Sequence, residues 1–248
     1  IRVPNGKNKR NTMKFYRTLY PFQVISFDLD DTLYDNSQVM IKAESEFLAF
    51  LRQYDGVQDV THAEWVFWKE TIGRENPLLQ ENVTAWRTQS LQALLAKRQK
   101  SAVDISAISE QAMSYFLHWR HQIDVPTQSF EILQQLKPRY KLVAITNGNV
   151  EPARIGFHHF DLTRGGEHGR AKPHEDLFRQ TVRYFNILPR QLLHVGDNLQ
   201  TDVQGAIQAG CQAVWLNLTS KHIHQFSDAR LLPTVEMSDL SALLSLHC

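Results

Sequence analysis

A chain of 248 residues with 42% hydrophobic side chains can build one large domain, or a core carrying a smaller insertion, and it holds no apolar run near the ~20 residues of a membrane span. Its two cysteines, Cys211 and Cys248, form neither a CxxC pair nor a disulfide framework, which points to a reducing, cytoplasmic setting. The net charge of +1 conceals an asymmetry: Arg2, Lys7, Lys9 and Arg10 fall in the first twelve residues, and what remains is mildly acidic, without the footprint of a nucleic-acid binder.

Residues 1–12 are polar, basic and rich in Asn, with no apolar stretch of the secretory kind, and Met13-Lys14-Phe15-Tyr16 reads as a native start. They are expected to form a disordered extension whose loss leaves the fold intact. Val24-Ile25-Ser26-Phe27 then reads as a buried parallel strand. It runs into Asp28-Leu29-Asp30-Asp31-Thr32-Leu33, three carboxylates within four residues. Buried strands do not carry such charge unless it leaves the sheet at the strand end or meets a positive partner. Two carboxylates as close as Asp28 and Asp30 call for a cation, and a hard oxygen site of carboxylates, water and substrate phosphate is how Mg²⁺ is commonly held. An Asx-rich turn is the plain alternative.

Residues 34–124 show no buried strand and read as four helices. Asn36-Ser37 precedes Val39, Ala43, Phe47, Phe50 and Leu51 at helical spacing. Thr61 and Glu64 suggest a capping box ahead of Trp65, Trp68 and Ile72. Val83, Trp86, Leu91, Leu94 and Leu95 mark the third helix, and Ile105, Ile108, Ala112, Phe116 and Trp119 the fourth. The tryptophans at this spacing are expected to pack within the bundle. Arg87, beside Trp86, is the residue of this segment singled out for substrate contact.

From Pro126 the pattern returns to alternating strands and helices. A helix near 129–136 leads to a strand over 140–146 that ends in Thr146-Asn147-Gly148. A helix near 151–158 and a weak strand at 162–164 precede the glycine-rich loop 165–173, which holds Lys172-Pro173. An amphipathic helix is expected over 174–185 and a strand over 192–197, ending in Gly196-Asp197. Asn198 to Asp202 opens a helix through Ala209. A strand follows at 212–216, then an edge strand at 234–235 and a short final helix from 238. This alternation predicts a parallel sheet covered on both faces. His158-His159 and His222-Ile223-His224 lack acids or cysteines at ligand spacing and read as surface histidines. His194, inside a strand, reads as a core residue.

Parallel strands bring their C-terminal ends to one sheet edge, where ligands bind. The groups gathered there suit phosphoryl transfer, which needs an attacking oxygen, donors around the phosphoryl oxygens and cations to absorb charge. Asp28 is the candidate nucleophile and Asp30 the candidate general acid and base. Thr146 and Asn147 are candidate phosphate donors, with Lys172 as the neutralising cation. Asp197 completes a candidate Mg²⁺ site with Asp28 and Asp30.

The motifs Asp28-Leu29-Asp30-Asp31-Thr32-Leu33, Thr146-Asn147, Lys172-Pro173 and Gly196-Asp197-Asn198-Leu199-Gln200-Thr201-Asp202, in this order, resemble the haloacid dehalogenase (HAD) superfamily. Each motif is weak alone; four in order are specific. The resemblance implies an α/β fold: a Rossmann-like, doubly wound parallel-sheet core from residues 13–33 and 125–248. The helical segment 34–124 is similar to the cap of subfamily I. It implies a Mg²⁺-dependent phosphomonoester hydrolase acting through an aspartyl-phosphate on a small-molecule phosphate ester. Asn198 stands where many relatives carry a second acid, which leaves Asp197 as the expected direct ligand and Asp202 as a supporting carboxylate. The stretches 27–36, Trp119-Arg120, 122–126, 143–149 and 227–233 further resemble bacterial flavin-pathway phosphatases. That likeness implies hydrolysis of FMN and of 5-amino-6-(5-phospho-D-ribitylamino)uracil. A sugar-phosphate or nucleotide phosphatase, or a phosphomutase, would use the same motifs. A dehalogenase has no use for Asp30 and Asp197 together, and a silent binding protein would be expected to lose Asp28, Asp30 or Lys172. Oligomeric state is not legible.

Overall fold

The computed structural model describes residues 13–219 and 221–246. The expectation for residues 1–12 lies outside the described residues, as does Cys248. Seven strands form one sheet: β1 (Lys14–Phe15), β2 (Val24–Phe27), β3 (Lys141–Ile145), β4 (Leu162–Arg164), β5 (Leu192–Gly196), β6 (Gln212–Leu216) and β7 (Val235–Met237). The order is β1-β7-β6-β5-β2-β3-β4. All neighbours run parallel except β1, which is antiparallel to β7. The segment expected as an edge strand at 234–235 is therefore one position inside the edge. Lys14 and Phe15 cover it, a pairing too short to leave a pattern in sequence.

Side chains alternate across the sheet because the strand period is two. On one face Ile25, Phe27, Ala144, Val195 and Val214 pack against α5 (Thr127–Leu136) through Ile132, Leu133 and Leu136. On the other, Val24, Val143, Ile145, Leu192 and Trp215 pack against α6 (Asp176–Tyr184) through Leu177 and Phe178. Both faces are covered, so the central strands are buried along their whole length, as parallel strands require.

Four helices lie between β2 and α5: α1 (Ser37–Leu51), α2 (His62–Glu75), α3 (Val83–Lys97) and α4 (Ala102–Arg120). They enclose their own apolar cluster, with Phe47 and Trp65 ring centroids 4.9 Å apart and Phe116 edge-on to Phe47 at 6.1 Å. Trp65 is buried, and Trp86 Nε1 donates to the Lys69 carbonyl at 2.9 Å, so both tryptophans pack within the bundle. The caps differ in detail from the sequence reading. Asn36 makes no side-chain cap; Asp35 accepts from the Ser37 amide at 2.9 Å instead. Thr61 does accept from the Glu64 amide at 3.1 Å, but the Glu64 carboxylate turns to Arg98, leaving half a capping box. Pro77–Glu81 forms a 3₁₀ turn that the sequence reading did not anticipate.

Two further expected helices shorten. The one near 151–158 is a single 3₁₀ turn, Pro152–Ile155, ended by Gly156 at φ +88°, a left-handed backbone that side-chain-bearing residues rarely adopt. The helix after Asp197 opens as a wide π-type turn, Leu199–Gln204, before α7 (Gly205–Gln208), with the Asn198 side chain capping it by accepting from the Gln200 and Thr201 amides. The final helix is a 3₁₀ segment, Leu240–Ser245.

Candidate active site

Register sets the site. Phe27 lies beside Ala144 on one side and Val195 on the other, so β2, β3 and β5 end level with one another. Asp28 follows directly on β2 and is held by its amide donating to the Val195 carbonyl at 2.9 Å. Thr146 follows β3, and Asp197 follows β5.

Lys172 is the hub of the arrangement. The loop that carries it is fixed by a reciprocal pair with Asn147: the Asn147 Nδ2 donates to the Lys172 carbonyl at 2.7 Å, and the Lys172 amide donates to Asn147 Oδ1 at 2.9 Å. Asn147 thereby spends its side chain on positioning Lys172. The Lys172 Nζ, with its side chain 1% exposed, lies 2.7 Å from Asp28 Oδ1 and 2.7 Å from Asp202 Oδ1. Asp202 also accepts from the Asn198 amide at 3.0 Å, and its Oδ1 stands 3.2 Å from His194 Nε2. His194 Nδ1 in turn lies 2.8 Å from Ser26 Oγ. His194 is thus buried, as the sequence suggested, but it is a hydrogen-bonding part of the site's foundation. Asp197 is set by Thr32, whose hydroxyl donates to its Oδ1 at 3.2 Å, while the indole of Trp215 holds its carbonyl at 2.8 Å. Gly196 has to be glycine here: a Cβ would lie 2.2 Å from Asp202 Cγ.

Charges crowd this corner. Burial pushes the Asp28 carboxyl up to about 8 against the pull of Lys172, with Asp202 and Asp30 adding repulsion. Burial also raises Asp197, to about 6, again with Asp202 and Asp31 repelling it. Asp202 goes the other way: burial opposes its ionisation, but Lys172 and His194 outweigh that and hold it below the usual carboxylate range. Burial works against the Lys172 charge too, and Asp202 and Asp28 more than restore it. Burial lowers His194 and keeps the ring neutral.

Asp28, Asp197 and Asp202 can each offer an oxygen such that all three lie within 4.8 Å of one another, and among the described residues this is the one cluster of metal-ligating groups. An all-oxygen donor set with excess negative charge fits a hard divalent cation. Asp30 does not join this trio. Its side chain is taken by Arg120, whose Nη2 lies 2.6 Å from both Asp30 oxygens, and by Tyr34, whose hydroxyl donates to Oδ1 at 2.8 Å. The carboxylate expected as a metal ligand is therefore engaged at the end of α4, where it still repels Asp28.

Thr146 Oγ accepts from the Gly148 amide at 2.9 Å and closes the turn that faces Asp30. A cavity of about 860 Å³ opens beside this turn. Thr146, Gly148 and Asn149 edge it, Phe157, Phe160 and Leu117 supply apolar lining, and Asn82, Thr84 and His168 supply polar groups.

Arg87 is placed otherwise than expected. It is buried in the helical bundle, 3.3 Å from both oxygens of Glu44, with its guanidinium over the Phe116 ring at 4.2 Å. Its neighbourhood is another protein side chain's charge, which Lys69 shares at 2.8 Å. A buried Arg–Glu pair between helices leaves no periodic mark in the sequence, so nothing beside Trp86 announced Glu44 as the partner of Arg87. The residues passed over as site members were Arg120, Tyr34 and His194. Arg120 reaches Asp30 across ninety residues, a contact with no local signal, whereas Tyr34 bonds Asp30 from within the same loop.

Comparison with known proteins agrees with this geometry. The model of the haloacid dehalogenase-like hydrolases matches residues 22–210. The 5-amino-6-(5-phospho-D-ribitylamino)uracil phosphatase YigB of Escherichia coli is 39% identical over 237 residues, 94% of this chain and 100% of that one. The phosphoserine phosphatase of Thermus thermophilus is 28% identical over 222 residues, covering 79% of this chain and 88% of its own. Among solved structures, the 2-haloacid dehalogenase of Pseudomonas syringae superposes with a TM-score of 0.84 at 27% identity, over 90% of this chain and 97% of that one. With a parallel α/β sheet, polar strand ends and phosphatases among its relatives, this chain is an enzyme of the phosphatase type and belongs to the haloacid dehalogenase-like hydrolases.

Proposed function

We propose that the protein is a Mg²⁺-dependent phosphomonoesterase that works through an aspartyl-phosphate, with FMN and 5-amino-6-(5-phospho-D-ribitylamino)uracil as its substrates. The observation that carries the proposal is the convergence of Asp28, Lys172, Asp197 and Asp202 at one sheet edge, beside the turn at Thr146. Asp28 attacks phosphorus and the ester P–O bond breaks, the leaving oxygen taking a proton from Asp30. Water then attacks the aspartyl-phosphate and gives its proton to Asp30, which releases phosphate and restores Asp28. Thr146 and the backbone amide of Asn147 would donate to the phosphoryl oxygens, and Lys172 keeps the Asp28 carboxylate oriented. A bound Mg²⁺, held by Asp28 and Asp197 with Asp202 behind them, would offset the charge that gathers on the phosphoryl group. Residues 34–124 serve as the cap over this core, residues 13–33 and 125–248.

Flavin-pathway substrates are supported by the 39% identity to YigB along its whole length. The cavity beside Thr146 supports them as well, since its apolar walls and polar rim suit a flat heteroaromatic group carried on a phosphorylated polyol. The likeness to a solved 2-haloacid dehalogenase keeps a second reading in view, attack of Asp28 on carbon. That chemistry gives no use to a carboxylate trio, and the trio favours the phosphatase. The test is a Mg²⁺-supplemented screen of FMN, sugar phosphates, nucleotides and 2-chloropropionate. Phosphate release with FMN among the preferred esters is expected. Chloride release without phosphate release would overturn the proposal.

A further inference from the structure

Arg120 is the last residue of α4, the point where the helical segment returns toward the sheet. Its side chain is 2% exposed, and its Nη2 sits 2.6 Å from each oxygen of Asp30. Its Nη1 is buried without a hydrogen-bond partner. A pair that served stability alone would be expected to use both forks of the guanidinium, because a buried unpaired donor is costly. Here one nitrogen holds the carboxylate and the other is left over. The neighbouring turn is close: a Cβ on Gly148 would lie 2.6 Å from Asp30 Oδ2 and 3.5 Å from Arg120 Nη2. Arg120 thus stands where the Asp30 loop, the turn at Thr146 and the end of α4 meet. The next residue ties the same helix end to the core again, since His121 Nε2 accepts from the Glu151 amide at 3.0 Å.

We propose that Arg120 is a positioning residue for the proton transfer. It fixes the Asp30 carboxylate at the lip of the phosphate turn, and it makes the placement of Asp30 depend on the placement of the helical segment. The inference rests on the reading of Asp30 as proton donor and base. Tyr34 pins Asp30 Oδ1 from its own loop, so Arg120 supplies the link to a second element. Without it the carboxylate keeps one donor and gains freedom to rotate away from the leaving oxygen. Loss of Arg120 then resembles, in weaker form, loss of Asp30 itself.

Kinetics across leaving groups test this with the full chain and saturating Mg²⁺. Aryl phosphates such as p-nitrophenyl phosphate need little protonation of the leaving oxygen, whereas alkyl phosphates need it fully. Arg120→Lys and Arg120→Ala are expected to lose about tenfold more kcat/KM on an alkyl phosphate than on the aryl one. In an Asp30→Asn background, Arg120→Lys is expected to change the rate by less than about twofold. Millimolar guanidinium is expected to restore part of the alkyl activity of Arg120→Ala. Equal losses on both esters, or losses that multiply in the double variant, would overturn the proposal and leave Arg120 a structural ion pair. Should Arg120→Ala fail to fold, Arg120→Lys carries the test, and failure of that variant to fold likewise assigns Arg120 to structure alone. Wild-type protein that turns over no phosphate ester would overturn the phosphatase reading and the inference with it; an active wild type with a leaving-group-blind Arg120→Lys overturns the inference alone.

Discussion

Adding a divalent cation to metal-free protein is expected to displace protons from the carboxylate trio in a number set by pH. Burial lifts Asp28 to about 8 and Asp197 to about 6, while Asp202 stays ionised on Lys172. Henderson–Hasselbalch occupancy then gives about two protons displaced at pH 5, about one at pH 7 and about 0.1 at pH 9. Stability follows from the same occupancies. An acid whose folded pKa lies above its unfolded value near 4 holds its proton longer in the native state, so metal-free protein loses stability as pH rises from about 4 to about 8. The cation removes that penalty because it takes the place of the proton. Between pH 6 and 8, where about one proton is displaced, each pH unit tightens binding about tenfold. At saturating cation that adds ~1.4 kcal/mol, or ~3–6 °C of Tm for a chain of this size. Titration calorimetry of Mg²⁺ in buffers of different ionisation enthalpy counts the protons. Paired melts with chelator and with Mg²⁺ at pH 5, 7 and 9 follow the stability. Zero displacement at pH 7, or a Mg²⁺-induced Tm shift constant from pH 5 to 9, would refute the reasoning.

Gly148→Ala is expected to cut turnover by about tenfold or more while moving Tm little, since its Cβ would press on Asp30 Oδ2 at 2.6 Å at the mouth of the site; unchanged kcat counts against the placement of Asp30 there. Arg87→Ala is expected to lower Tm by about 4–8 °C, because Glu44 keeps Lys69 but loses its fork and the contact over Phe116, while the ratio of activities on FMN and p-nitrophenyl phosphate stays within about twofold. A selective loss on FMN with unchanged Tm would return Arg87 to substrate binding. Asp28→Asn is expected to form no covalent phosphoenzyme in acid-quenched samples with an aryl phosphate, since an amide is not the attacking anion. Label retained on that variant would move the nucleophile elsewhere.

What could be read in sequence was whatever the chain declares locally. The short, nearly continuous apolar runs at 24–27, 141–145, 192–196 and 212–216 became four central parallel strands, and the helical spacing of Phe47, Leu91 and Phe116 became a bundle with its own core. Features that depend on tertiary pairing were not legible. β1 is two residues long and exists because β7 offers it an edge. The expected helix at 151–158 shrank to one turn because Gly156 adopts a left-handed backbone there. The polar strand ends were visible as residue types, but their partners were not. Arg120 reaches Asp30 across the whole helical segment, and Arg87 turned inward because Glu44 waits for it on another helix.

The charges of the site argue for the order in which its parts act. Asp28, Asp30, Asp197 and Asp202 face Lys172 and Arg120, which leaves two negative charges once every carboxylate is ionised and one when Asp30 carries the proton it is proposed to donate. Both cations are already committed: Lys172 divides its charge between Asp28 and Asp202, and Arg120 is spent on Asp30. Neither stands free for a phosphate dianion, which would meet a repulsive site. Metal-free protein lessens the excess by protonating Asp28, and that same proton silences the carboxylate proposed to attack. A divalent cation held by this carboxylate cluster would offset the excess charge and favour the Asp28 anion. On the proposed phosphatase reading, a bound cation would serve both the approach of the phosphate and the ionisation of Asp28, so cation binding is expected to precede productive substrate binding.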